Sequence, residues 1–93
     1  MTFKLHARVA RADAETIRQA LAELTARGSV AAQGDEFAIE AEAEGESAKE
    51  LNRRLLSALR KIHKRATLRA QWTSSGNVTE SYFDYVLKKT IRD

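Results

Sequence analysis

The chain has 93 residues, of which 43% are hydrophobic and 31% charged, and its formal net charge is +3. This size and composition predict one folded domain over residues 1–93 and are not typical of a disordered chain. The absence of cysteine excludes disulfides and thiolate chemistry. The start lacks the apolar run of a signal peptide, and no stretch approaches the ~20 apolar residues of a membrane span, so we expect a cytoplasmic protein that does not act in a membrane.

The first part of the chain predicts a strand followed by a helix. Residues 3–9 alternate apolar and polar side chains, which is the pattern of a half-buried strand. Asp13 is a favourable N-cap, and apolar residues then recur with helical spacing as far as Leu24. Gly28 is the residue type that most often ends a helix, so we predict a helix over 14–27.

A hairpin is predicted next. Residues 29–33 form a weak strand, and residues 36–44 alternate again with Phe37 and Ile39 on the apolar side. Gly34 and the aspartate after it supply a turn between these two segments, so the two strands are expected to pair with each other.

The second helix has the clearest pattern in the sequence. Ser47 and Glu50 have the spacing of a capping box, and an apolar arc then continues at helical spacing from Leu51 to Ala66. The expected core residues of this helix are Leu51, Leu55, Ala58, Leu59, Ile62 and Ala66. The opposite arc consists of Arg53, Arg54, Arg60, Lys61, Lys64 and Arg65.

The last part of the chain contains one clear strand and one ambiguous segment. Residues 67–73 alternate, with Trp72 directed inward. After the turn around Gly76, residues 78–93 are rich in residues that favour strands, but Asn77 and Glu80 also have the spacing of a helix cap. A strand is the favoured interpretation and a short helix the alternative.

The order β-α-β-β-α-β predicts an α+β fold of the ferredoxin-like, split βαβ type. In this sandwich an antiparallel sheet has both helices on one face, here with an extra C-terminal strand or short helix. The first strand is then expected between the third and the fourth. On the open face, Lys4, His6 and Arg8 would lie beside Glu40 and Glu42 and form cross-strand ion pairs.

The sequence contains no recognisable catalytic, cofactor-binding or metal-binding motif. The loop after the first strand has Arg11 but no glycine to hold a phosphate, and a solvated arginine is the simpler interpretation. His6 has Glu40 or Glu42 as its expected neighbour, and His63 is expected at the edge of the second helix. We therefore predict a protein that is not an enzyme and has no cofactor or metal.

Charge is distributed unevenly along the chain. Residues 1–50 have a net charge of −4 and residues 51–93 a net charge of +7, with no Asp or Glu from Leu51 as far as Glu80. A cationic surface of this kind is typical of contact with a phosphate backbone. The predicted nucleic-acid-binding residues, with RNA as the expected partner, are Arg53, Arg54, Arg60, Lys61, Lys64, Arg65 and Arg69. An acidic protein partner, or a cationic face that only keeps the helix soluble, are the alternatives.

Aromatic residues cluster near the C-terminus and suggest a second kind of interface. Tyr and Trp combine apolar area with a polar group and are enriched in protein interfaces. The predicted protein-binding or homodimer interface consists of Trp72, Tyr82, Phe83 and Tyr85, and the alternative is an additional layer of core. The expected outward positions of the central strands have no aromatic residue, which disfavours the stacking of RNA bases on the sheet.

Overall fold

Six strands and two helices follow one another along the chain. The computed structural model describes residues 1–92 and the side chains of residues 1–88. The predicted domain end at Asp93 lies outside the described residues. In chain order the elements are β1 (Thr2–Ala10), α1 (Ala14–Ala22), β2 (Arg27–Gln33), β3 (Glu36–Glu44), α2 (Ala48–Arg60), β4 (Thr67–Ser74), β5 (Val78–Phe83) and β6 (Val86–Arg92).

The strands form one antiparallel sheet in the order β2-β3-β1-β4-β5-β6. The structure is therefore an α+β fold with a six-stranded antiparallel sheet and two helices. As predicted, β1 lies between β3 and β4. Its alternate residues are buried on one face, where both helices contribute to the same apolar core, and exposed on the other. Within residues 1–92, neither helix is long and apolar enough to cross a membrane.

The prediction for the first helix was wrong at its C-terminal end. Asp13 is the N-cap, but α1 ends at Ala22 instead of Arg27, and Gly28 lies within β2. The chain leaves the helix early because the Thr25 hydroxyl donates to the carbonyl oxygen of Glu42 on β3. A Cβ atom on Gly28 would lie 2.5 Å from the side chain of Leu21. Any larger residue here would therefore require the Leu21 side chain to move.

The second helix begins as predicted and ends earlier. The side chain of Ser47 accepts a hydrogen bond from the backbone N–H of Glu50, which is half of the predicted capping box. The helix stops at Arg60, and Ile62, predicted to be buried, is 57% exposed. Ala66 does reach the core, but from the loop that leads into β4. A helix continuing to residue 66 would leave no residues for the connection to Thr67.

The ambiguous C-terminal segment forms two strands and no helix. β5 and β6 pair around a two-residue turn at Asp84 and Tyr85, with Phe83 opposite Val86. Asp84 adopts a positive φ of 55°, which aspartate tolerates better than most residues. This turn was missed because it contains neither glycine nor proline. The single extra strand that the sequence predicted is therefore a hairpin, and its strands β5 and β6 extend the sheet beyond β4.

Candidate nucleic-acid interface

Five of the predicted nucleic-acid-binding residues lie in the stretch that runs from the middle of α2 into the loop after it. Arg53 and Arg54 are on the helix, Lys61 is its C-cap, and Lys64 and Arg65 are in the loop. All five side chains are exposed. We call Arg53, Arg54, Lys61, Lys64 and Arg65 the basic surface. The prediction placed them on one continuous helix, whereas the structure divides them between a helix and a loop.

Within the described part of the chain, none of these five cations has a carboxylate oxygen within 4 Å. The ion pairs that do form are elsewhere, and three of them connect cations of β1 and β2 to the glutamates of β3. The five described pairs are His6–Glu40, Arg8–Glu36, Arg27–Glu42, Arg60–Asp84 and His63–Asp13. The predicted ion pairs on the open face thus form in part, and Glu36, Glu40 and Glu42 of β3 are paired there and not with the basic surface.

Three cations of the basic surface also border a groove between the two helices. Its volume is about 230 Å³, and it lies where the end of α1 passes α2. The lining residues are Glu23, Leu24, Arg53, Arg54, Ser57, Ala58 and Lys61. With three cations and one carboxylate, the groove has a net positive charge and suits an anionic group.

Arg60 does not belong to this surface, which corrects its predicted role. Its Nη2 atom lies 3.3 Å from Oδ2 of Asp84, and its Nε donates to the carbonyl oxygen of Ala66 at 3.1 Å. The guanidinium also lies over the ring of Tyr85, 5.4 Å from its centroid. These contacts anchor the β5–β6 turn on the end of α2, so the charge of Arg60 is neutralised inside the protein.

The same turn is held by a buried network that the sequence analysis missed. Asp84 accepts a hydrogen bond from the backbone N–H of Leu68 at 2.9 Å, and its carbonyl oxygen accepts one from the amide of Asn52. Asn52 in turn accepts a hydrogen bond from the indole N–H of Trp72 at 3.1 Å. The sequence signal for this network was Asn52 itself, because a buried asparagine requires hydrogen-bond partners.

Arg69 is separated from the basic surface by the sheet, a second correction. It lies on β4 with its side chain on the open face, directly opposite Arg8 on β1 and Phe83 on β5. Its guanidinium is 5.3 Å from the centroid of the Phe83 ring. Arg69 therefore belongs to a different site from the helix cations.

The predicted aromatic interface is divided between the core and the surface. Trp72 and Tyr82 are buried with the core residues of β1 and α2, so these two side chains are not available to a partner. They point inward because alternation along β4 and β5 directs them to the helix side. Phe83 and Tyr85 are exposed, by 37% and 45% respectively.

A concavity that was not predicted lies on the open face. Its volume is about 480 Å³, and it crosses β3, β1, β4, β5 and β6. Side chains with charge or aromatic character along its lining are His6, Arg8, Glu40, Arg69, Phe83 and Lys88. Finding this site required the hairpin, because only pairing of β5 with β4 brings Phe83 beside Arg69.

Among residues 1–88, two titratable groups have clearly perturbed pKa values. Burial, reinforced by the nearby carboxylate of Glu80, raises the pKa of Tyr82 to about 12. Hydrogen bonds from Thr16 lower the pKa of Asp13, and His63 contributes in the same direction. In the part of the chain that the structure describes, no group of three His, Asp or Glu side chains is arranged to hold a metal ion.

Comparison of the chain with models of known protein families, with curated proteins and with solved structures finds no match. The function must therefore be argued from the site itself.

Proposed function

We propose that this protein is a non-enzymatic cytoplasmic module that binds nucleic acid, RNA in particular, through the basic surface. The observation that supports the proposal is that five exposed cations lie between Arg53 and Arg65 with no described carboxylate oxygen within 4 Å, and that three of them border one groove. Cations left without an internal partner are the groups that release counterions from a phosphate backbone when they bind it.

The shape of this surface favours contact with phosphates over the reading of base pairs. α2 packs against the sheet through Leu51, Leu55 and Leu59, which are fully buried, so the helix does not project from the protein. A helix that reads the major groove must enter that groove. A flat, cationic helix end with an adjoining loop is better suited to binding that is independent of sequence and sensitive to salt.

For the fold, we propose that β1 to β4 and the two helices form the ferredoxin-like, split βαβ arrangement. The strand order β2-β3-β1-β4 with antiparallel neighbours supports this assignment. β5 and β6 then extend the sheet on the β4 side. An experimental structure in which another strand lies between β3 and β4 would contradict it.

The test of the function is charge reversal with a control of equal net charge. Arg53→Glu, Arg54→Glu and Lys61→Glu together should weaken binding of a labelled RNA by at least about a hundredfold at low salt. The matched control reverses three exposed cations elsewhere: Lys4→Glu, Arg18→Glu and Lys49→Glu. Because both variants lose the same net charge, a large difference between them assigns binding to the basic surface.

Salt dependence provides a second measure in the same experiment. Five phosphate contacts predict a slope of about −3.5 for log K against log salt with a single strand. Charge reversal of three cations should reduce the slope to near −1.5. If both triple variants bind RNA equally well, or if the unaltered protein does not bind nucleic acid, the proposal is wrong.

A second candidate function is homodimerisation through the C-terminal hairpin. Tyr85, Val86 and Leu87 are consecutive and each about half exposed, at 45%, 56% and 49%; Tyr85 ends the turn, and Val86 and Leu87 begin the edge strand β6. An exposed apolar edge strand is able to pair with a second copy. Light scattering should then show a dimer that Leu87→Lys converts to a monomer, whereas a monomer at high concentration would contradict this candidate.

A further inference from the structure

Two arginines face each other across the two central strands of the open face. Arg8 on β1 is the register partner of Arg69 on β4, and Arg69 is the partner of Phe83 on β5. We call these three residues the open-face row. Like charges directly opposite each other on neighbouring strands destabilise a sheet. An anion bound between the two guanidinium groups would remove this repulsion.

The charges around the open-face row are only partly neutralised. Nη1 of Arg8 lies 3.8 Å from Oε1 of Glu36, the first residue of β3. Arg69 has no carboxylate oxygen within 4 Å among residues 1–88, and its charge lies over the Phe83 ring. Glu40, the carboxylate that lines the concavity, is 3.5 Å from Nδ1 of His6. The surface is therefore complementary to a negative group.

Phe83 adds an aromatic surface to this cationic pair. Its side chain is 37% exposed on the open face, although a phenylalanine has no polar group that needs solvent. The concavity around it, about 480 Å³, falls in the range of sites that hold small ligands. An exposed ring next to an arginine is the combination on which single-stranded nucleic acids stack their bases.

Arg69 is close along the chain to the loop part of the basic surface, although it lies on the open face of the sheet. Arg69 follows Arg65, the last residue of the basic surface, by four residues, and β4 begins between them. Four residues of fully extended chain span about 13 Å, which is the upper limit for the distance between these two Cα atoms. A few nucleotides of a bound single strand can span that distance.

We infer that the open-face row binds one nucleotide of a single-stranded nucleic acid, with the base against Phe83 and a phosphate between Arg8 and Arg69. The inference rests on the proposed function and specifies its substrate as a single strand. A duplex does not fit, because its bases are already paired and stacked with one another.

The experiment compares three ligands of equal length with the full-length protein: a single-stranded 12-mer, an abasic 12-mer with the same phosphates, and a 12-base-pair duplex. Fluorescence anisotropy should show about tenfold tighter binding of the base-containing strand than of the abasic strand. Phe83→Leu, which keeps an apolar side chain but removes the ring, should abolish this preference. Arg69→Gln should weaken binding of both single strands.

Tyr85→Leu is the matched control. Tyr85 is the other exposed aromatic residue of the same hairpin, and its ring also lies beside an arginine, Arg60 of α2. The substitution should leave the preference for the base-containing strand intact. Thermal unfolding of each variant verifies that it is folded. The comparison of base-containing and abasic strands with the unaltered protein remains decisive even if a variant does not fold.

The outcomes separate the two proposals. If the unaltered protein binds both single strands equally, or if the preference survives Phe83→Leu, the inference is wrong while the proposed function stands. If the preference depends on Phe83 but reversal of Arg53, Arg54 and Lys61 has no effect, the open-face row binds the strand and the basic surface does not. Absence of binding to all three ligands overturns both.

Discussion

Three arginines of α2 differ in their surroundings: Arg60 at the end of the helix, and Arg53 and Arg54 in its middle. At Arg60, the protein supplies its own acid, Asp84, together with a carbonyl acceptor and an aromatic ring. About two turns earlier, Arg53 and Arg54 are exposed and have no such partner among the described residues. The pattern of a helix thus places on one cationic arc residues that the tertiary structure surrounds differently. We propose a binding role only for those without an internal partner.

The largest expected effect on stability comes from removal of the internal acid. Asp84→Ala eliminates the hydrogen bond from the Leu68 N–H and leaves the half-buried guanidinium of Arg60 unpaired. We expect the free energy of unfolding to fall by about 3 kcal/mol, measured by urea denaturation.

Asp84→Asn is the control for this substitution, since it keeps an oxygen acceptor and the left-handed turn but loses the charge. It should cost only about 1 kcal/mol. Nucleic-acid binding by the folded fraction should be unchanged in both variants. Equal stability of Asp84→Ala and the unaltered protein would show that the network does not anchor the hairpin.

Alkaline pH tests the same hairpin through Tyr82. Its pKa is about 12 in the folded protein against an ordinary value of 10.0, so the folded chain holds the phenolic proton more tightly than the unfolded chain does. The associated stability is fully present below pH 10 and is lost as the pH rises through 12. We expect a loss of about 2 kcal/mol over this range.

Tyr82→Phe should remove this part of the alkaline destabilisation, because phenylalanine has no proton to lose. Tyr85→Phe serves as the comparison, since it alters an exposed tyrosine of the same hairpin. Urea midpoints at pH 9 and at pH 11.5 provide the measurement. Parallel pH profiles for the unaltered protein and Tyr82→Phe would contradict the prediction.

The smallest expected effects come from single substitutions of Arg60, which is paired with Asp84, and of Arg54, which has no described acidic partner. Arg60→Gln should lower the free energy of unfolding by about 1 kcal/mol and leave the salt slope of RNA binding unchanged. Arg54→Gln should change stability by less than about 0.5 kcal/mol and reduce the slope by about 0.7 in magnitude. The comparison fails if the two variants lose stability equally or if Arg60→Gln alters the slope.

Much of the local structure could be predicted from short-range patterns. Alternation identified β1, β3 and β4, Gly34 marked the hairpin turn, and Ser47 marked the start of α2. The ends of the helices could not be predicted in this way. α1 stops where Thr25 bonds to β3, and α2 stops where β4 must begin, so both ends depend on strands distant in sequence.

The candidate site was predicted less completely than the fold. Arg53, Arg54, Lys61, Lys64 and Arg65 are exposed, as the predicted interface requires, whereas Arg60 is paired with Asp84 and Arg69 lies beside Arg8 and Phe83. Trp72 and Tyr82 were included in an interface although both are buried. These errors share a cause: exposure and ion pairing depend on which strand lies alongside, and the turn at Asp84 that creates the last two strands has no glycine or proline to mark it.

By itself, the sequence determined the alternation of its strands, the start of its helices and the excess of positive charge after Leu51. These properties depend on residues that lie within a turn or two of one another. Only the tertiary structure decided which cations are neutralised and that Arg8, Arg69 and Phe83 form one row. Those relations are set by the register between strands, and register follows from the packing of the whole sheet against one core.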